Sequence, residues 1–307
     1  MKARTFLPLV VALVLLASVL PAIGQRSSQL AFATPEAAVE ALVAALRDNN
    51  EKALLDIFGH EHEDFLVQKD KAAAREYRGR LFRAAEVSRR LEKEGNDRLV
   101  LVIGREAWPF PIPLMRDASG WRFDTQAGVE EIINRRIGRF ELNAIAVCRA
   151  YIDAQRQYAS KRRDGSPVHR YAQRIGSSPG KQDGLYWDEA TAPAGEISPF
   201  GPLVAQAQPL LDGRKPGDPY QGYYFRILTA QGPNAPGGRY SYIINGNMIA
   251  GFAMVAFPAD YDSSGVMTFL CSHHGDVLQK DLGERTAKIG RTLKEYNPDS
   301  TWTKAEE

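Results

Sequence analysis

The sequence lacks the signatures of the common reaction centres. It has no Gly-x-Ser-x-Gly nucleophile elbow, no His-Glu-x-x-His pair, no phosphate-binding P-loop and no Gly-x-Gly-x-x-Gly opening a helix. Cysteine is scarce. Cys148 and Cys271 allow one disulfide, or two separate buried thiols behaving as small apolar groups. No cysteine stands near the start of the chain to take a lipid anchor. Beyond the first 20 residues, no stretch approaches about 18 uninterrupted apolar residues. Charge of one sign is missing as well, with 39 basic and 37 acidic residues in 307. That balance gives no support for nucleic-acid or acidic-membrane binding.

One apolar run is present. Lys2 and Arg4 precede an apolar stretch over residues 6–20, and Ala22-Ile23-Gly24 places small residues after it. This is the pattern of a signal peptide, residues 1–24, cut before Gln25. The alternative is an uncleaved N-terminal anchor. Cleavage removes two basic residues and no acids, leaving 37 of each sign. The expected location is periplasmic or secreted, with no stable membrane span after cleavage.

The rest reads as α+β in two domains, residues 28–138 and 139–305. Thr34-Pro35 is a helix N-cap followed by proline at the first helical position. Val39, Leu42, Val43 and Leu46 give that helix an apolar face, and Asp48-Asn49-Asn50 ends it. A short helix over residues 51–58 follows, then a polar helix over about residues 69–93. Strands are expected at residues 98–103, 108–115 and 121–125, with a hairpin turn at 117–120. This order resembles the cone-shaped fold of the nuclear-transport-factor-2-like superfamily. The resemblance implies a curved antiparallel sheet that often encloses a pocket. Trp108, Phe110, Trp121 and Phe123 are candidates to line one; otherwise they fill the core.

From residue 127 the period becomes helical. Val129, Ile132, Ile133, Ile137, Phe140, Ala144, Ile145, Cys148, Tyr151 and Ile152 follow 3–4 spacing to about residue 160. The domain boundary is expected within this helix, near Gly138. The run Lys161-Arg162-Arg163 reads as a solvated helix end. Residues 161–219 hold little periodic structure, although Tyr186 and Trp187 suggest packing onto a sheet. Strand-like runs at residues 223–228, 252–257, 266–271 and 277–280 then alternate with turn residues, as an antiparallel meander is written. A long helix, a loop and a four-stranded sheet resemble the globular domain of type IV pilins and pseudopilins. Here the helix is internal and amphipathic, so polymerisation through it is not expected.

The whole arrangement resembles an exported bacterial family, domain of unknown function 2950. The matching blocks are residues 108–113 (WPFPIP), 121–128 (WRFDTQAG), 130–138 (EEIINRRIG), 151–158 (YIDAQRQY), 183–187 (DGLYW), 222–232 (GYYFRILTAQG), 265–269 (GVMTF) and 279–283 (QKDLG). His273-His274 departs from it, where ordinary turn residues are expected. The resemblance implies export and a full-length architecture, and it supplies no activity or catalytic residue.

Few side chains remain as candidates for chemistry. His60-Glu61-His62-Glu63-Asp64 contains metal-ligating types, but His60 and His62 share a face only in an extended segment. Nothing in the sequence fixes Asp183 and Asp188 at the separation that a glycosidase-type carboxylate pair needs. Arg226 is a cation among apolar neighbours. It can pair with Asp281, stack on a ring, or receive an anionic ligand. No motif implies a cofactor. The expectation is a non-enzymatic periplasmic or envelope binding or assembly protein, with an envelope protein as partner. The alternative is a small-molecule-binding protein or enzyme using an N-terminal pocket. An apolar, filled interior favours the first; converging polar groups in a pocket favour the second.

Overall fold

The computed structural model describes residues 29–66, 70–163, 165–188, 196–201 and 218–306. The expected signal peptide lies outside them. The fold is mixed α+β, and the chain divides into two compact units, Met1–Thr125 and Gln126–Glu307. This division falls in the first turn of the long helix, whereas the sequence suggests a boundary near Gly138.

The first unit opens with α1 (Pro35–Arg47), and the Thr34 side chain accepts a hydrogen bond from the Ala37 N–H at 3.1 Å. Helix α2 (Glu51–Phe58) is capped in the same way by Asn50. A 3-10 turn (His60–His62), α3 (Glu63–Leu66) and α4 (Lys71–Val87) follow. The polar helix therefore ends earlier than expected. Residues 89–93 form β1 (Arg89–Lys93), paired antiparallel with β2 (Arg98–Ile103). Four of those five residues are charged and exposed, a pattern as compatible with a solvated helix as with a charged edge strand.

The expected strand at residues 108–115 is also interrupted. Pro109, Pro111 and Pro113 remove alternate donors, so only β3 (Trp108–Pro109) and β4 (Leu114–Asp117) pair. Strand β5 (Gly120–Phe123) completes the sheet through the expected hairpin. Gly120 is required there: a Cβ would sit 2.5 Å from the Phe32 carbonyl oxygen, and its φ is +123°. The core joins Leu42, Leu46 and Phe58 to Leu101, Ile112, Leu114 and Phe123.

The second unit is organised by α5 (Thr125–Ala159), 35 residues long. Ala144, Cys148, Tyr151, Ala154, Gln155 and Tyr158 are buried along one face. Five strands form its main sheet in the order β14-β13-β12-β11-β6. These are β6 (Tyr223–Leu228), β11 (Ala253–Pro258), β12 (Met267–Ser272), β13 (Val277–Asp281) and β14 (Thr303–Lys304). The expected four strands are present, and β14 adds a two-residue edge. The short strands β7 (Ala230–Gln231) and β8 (Tyr240–Ser241) form one ribbon; β9 (Ile243–Ile244) and β10 (Asn247–Met248) form another.

Specific polar contacts seat α5 on this sheet. Tyr151 Oη donates to the Ala253 carbonyl at 3.1 Å. Glu141 Oε1 accepts from the Val266 and Met267 N–H groups at 2.8 and 2.9 Å, where β12 begins. Fully buried Gln155 exchanges two 2.8 Å hydrogen bonds with the Ala172 backbone.

The opposite sheet face is covered differently from expectation. Helix α6 (Thr286–Thr292) lies there, not the loop carrying Tyr186 and Trp187. Gly290 sits against the Phe257 ring so closely that a Cβ would be 2.3 Å from it. That loop instead buries Arg163. Its guanidinium lies 5.3 Å from the Tyr158 ring and 5.0 Å from the Trp187 ring, and pairs with Glu196 at 3.0 Å. Arg163 is 5 % exposed, so the expected solvated helix end does not hold for it. The aromatic walls and the carboxylate supply what water otherwise would.

Candidate functional site

Helix α4 shows two faces. Ala74, Arg78 and Ala85 are buried in the first unit. Tyr77, Leu81, Ala84 and Val87, at helical spacing, line a groove at the core's edge, where Leu81 and Ala84 also pack against the core. The opposite wall is the end of β2 and the turn after it: Ile103, Gly104, Arg105, Glu106 and Trp108. The turn is tied to the helix end, because the Gly104 N–H donates to the Ala84 and Ser88 carbonyls at 3.2 and 2.9 Å. Gly104 and Ala107 take positive φ values of 77° and 53°, which makes the turn tight enough to present Trp108.

The groove has a volume of about 640 Å³, within the range of small-molecule sites. Tyr77, Val87 and Trp108 are exposed large hydrophobic residues. Arg80, Arg83 and Arg105 stand against one lining carboxylate, Glu106. Arg80 pairs with Glu76 at 2.6 Å and lies 5.7 Å from the Tyr77 ring centre. Among the described residues, Arg83 and Arg105 form no ion pair. An apolar trough with two unneutralised guanidinium groups favours a ligand with an apolar body and a negative head.

The five residues singled out from the sequence do not form one site. Phe110 and Phe123 join Phe58 in the core, with ring centres 5.2–6.3 Å apart. Trp121 is half-buried at the core margin, where its backbone pairs with Phe32. Trp108 alone faces the groove, with its ring 6.3 Å from Phe110. Arg226 belongs to the second unit. Its Nη2 donates to the Gly290 carbonyl at 2.7 Å and to the Leu293 carbonyl, capping the end of α6. Burial lowers its pKa. Asp281 is not its partner; that carboxylate accepts from Tyr261 Oη and the Gly283 N–H.

The remaining candidates have structural partners. His60 contacts Asp56 at 2.8 Å on the surface. Among the described residues, no three His, Cys, Asp or Glu side chains gather as a metal site requires. Asp183 accepts from the Ser178 N–H and hydroxyl at 2.7 and 2.8 Å, holding a loop. His273 and His274 form the β12–β13 turn, with their rings 4.1 Å apart and His273 packed on Tyr242. Cys148 and Cys271 are free and buried.

Sequence reasoning missed Tyr77, Arg83, Val87 and Arg105. The available signal was the Tyr77-Leu81-Ala84 stripe inside a helix read as polar throughout. No described helix is long and apolar enough to cross a membrane. A family profile described as "Protein of unknown function (DUF2950)" matches residues 29–305. No curated protein and no solved structure matches the chain.

Proposed function

This chain belongs to the DUF2950 family, and from that premise we propose that it is an exported, non-enzymatic binding protein that takes a small amphipathic anion in the α4 groove. The observation that carries this reading is the pairing of exposed Tyr77, Val87 and Trp108 with Arg83 and Arg105, which form no ion pair among the described residues. The tightly filled Phe58–Phe110–Phe123 interior supports binding at an outer groove over reaction in an inner cavity. The basic start, apolar run and Ala22-Ile23-Gly24 support export to the periplasm or beyond. The second unit is read as a scaffold of pilin-like plan.

In this reading the rings and aliphatic side chains take the ligand body, and the guanidinium groups take a carboxylate, sulfonate or phosphate head. Anilinonaphthalene sulfonate, an aromatic anion, is a suitable probe, and uncharged N-phenylnaphthylamine is its control. Fluorescence titration should give one saturable site for the anion. Replacing Arg83 and Arg105 together with Gln should weaken the anion at least about tenfold, or about 1.4 kcal/mol. The neutral control should change little. Trp108→Ala should weaken both probes. If both variants bind like the parent while remaining folded, the groove is not the binding surface.

A further inference from the structure

Cys148 and Cys271 are far apart in the second unit's sequence, yet the fold buries both in one core cluster. Cys148 and Tyr151 are three apart on α5 and share a helix face. Tyr151 Oη reaches the Ala253 carbonyl, and the next residue, Met254, pairs across the sheet with Cys271. The face bearing Cys148 thus lies over the strand position of Cys271. Both side chains belong to the same core cluster, and both residues are 0 % exposed.

We propose that Cys148 and Cys271 close a disulfide joining α5 to β12 when the chain folds in an oxidising compartment. In the cell this rests on the export reading above; the chemistry itself does not. Each thiol loses one proton and one electron as the S–S bond forms. A disulfide oxidant accepts both, and oxidised glutathione leaves as two thiols. The bond needs the two sulfur atoms at about 2.05 Å, and a shared helix–sheet core already holds both side chains between the same two elements. Burial and the neighbouring Cys148 push the Cys271 thiol's pKa up, which disfavours the reactive thiolate in the folded core. Oxidation therefore precedes closure of the core and belongs to folding. The bond closes a loop of more than about 100 residues, where the stabilising effect on the unfolded chain is large.

The test is to unfold the full chain and refold it with oxidised and reduced glutathione, or with dithiothreitol. Oxidative refolding should leave no thiol titratable under denaturing conditions. Intact mass should fall by about 2 Da with no glutathione adduct. The oxidised form should melt roughly 5–15 °C above the reduced form. Cys148→Ser, refolded under the same conditions, should melt near the reduced parent whatever the oxidant. Two free thiols, a stable glutathione adduct, or an oxidised form that melts no higher would each overturn the proposal. Intact mass of protein recovered from the envelope reports cleavage near Gln25 separately from the 2-hydrogen loss. A chain found uncleaved and only in the cytosolic fraction, yet oxidising on refolding, would sink the export reading and leave the disulfide standing; an uncleaved chain in the envelope would favour the anchor over cleavage.

Discussion

Replacing Glu196 with Gln should be among the most damaging single-atom changes in the second unit. Arg163 is enclosed by Tyr158, Trp187 and Glu196, and its side chain is 3 % exposed. Its Nε also donates to the Tyr158 carbonyl at 3.3 Å. The substitution neutralises the carboxylate paired with this guanidinium and leaves the cation in place. Breaking a fully buried pair costs about 3–5 kcal/mol. Glu196 keeps 30 % side-chain exposure, so water compensates in part and about 2–3 kcal/mol is expected. At this chain length that corresponds to a fall in Tm of roughly 4–12 °C. Urea unfolding followed by tryptophan fluorescence would measure it directly.

The change should also flatten the acid limb of the stability curve. The hydrogen bond from Lys161, then that from Arg163, holds the Glu196 carboxyl below the usual carboxylate range. Its stabilising effect is therefore complete above the unfolded value of about 4.3, and is lost as pH falls through the folded value. A double variant, Arg163→Met with Glu196→Leu, should lose less than the two single changes summed. A Glu196→Gln variant within about 0.5 kcal/mol of the parent would show that Arg163 is not enclosed as described.

Two further changes probe the same unit. Burial first, and His274 second, lower the pKa of His273, which faces Tyr240, Tyr242, Phe252 and His274. The unfolded chain takes up the proton first, so stability should fall as pH drops below about 6.5, and His273→Phe should remove that slope in melts between about pH 7.5 and 5.5. Gly290→Ala should cost about 1–3 kcal/mol by driving α6 off the Phe257 ring. Gly138→Ala, on open helix surface, should instead gain about 0.5–1 kcal/mol, and equal melting temperatures for both would contradict the packing of α6.

Most of the scaffold was legible because local rules and tertiary packing agree. Thr34-Pro35 starts α1, and the 3–4 spacing from Val129 to Ile152 marks α5. The apolar runs at β6, β11 and β12 likewise become three neighbouring strands of the main sheet. What failed depends on contacts remote in sequence. Residues 89–93 carry too much charge to announce a strand and become one by pairing with β2. Helix α6 is only seven residues long, and its position is set by Phe257 and Arg226 rather than by its own periodicity. The aromatic residues proposed to line a cavity were conspicuous for their size, and size served the core at Phe110 and Phe123. The groove was hidden because Tyr77, Arg83 and Arg105 are ordinary residues of a polar helix and a turn. Only the fold brings them beside Trp108.

The hydrogen bond from Tyr151 to Ala253 links positions 102 apart, and that from Val266 to Glu141 links positions 125 apart. A ribosome adding about 5–20 residues per second needs roughly 5–20 s to make the strands on which α5 rests. Throughout that interval Ile145, Cys148, Tyr151 and Ile152 have no sheet to cover them. The apolar face of α5 is thus complete, and open to solvent, for seconds before the sheet that covers it exists.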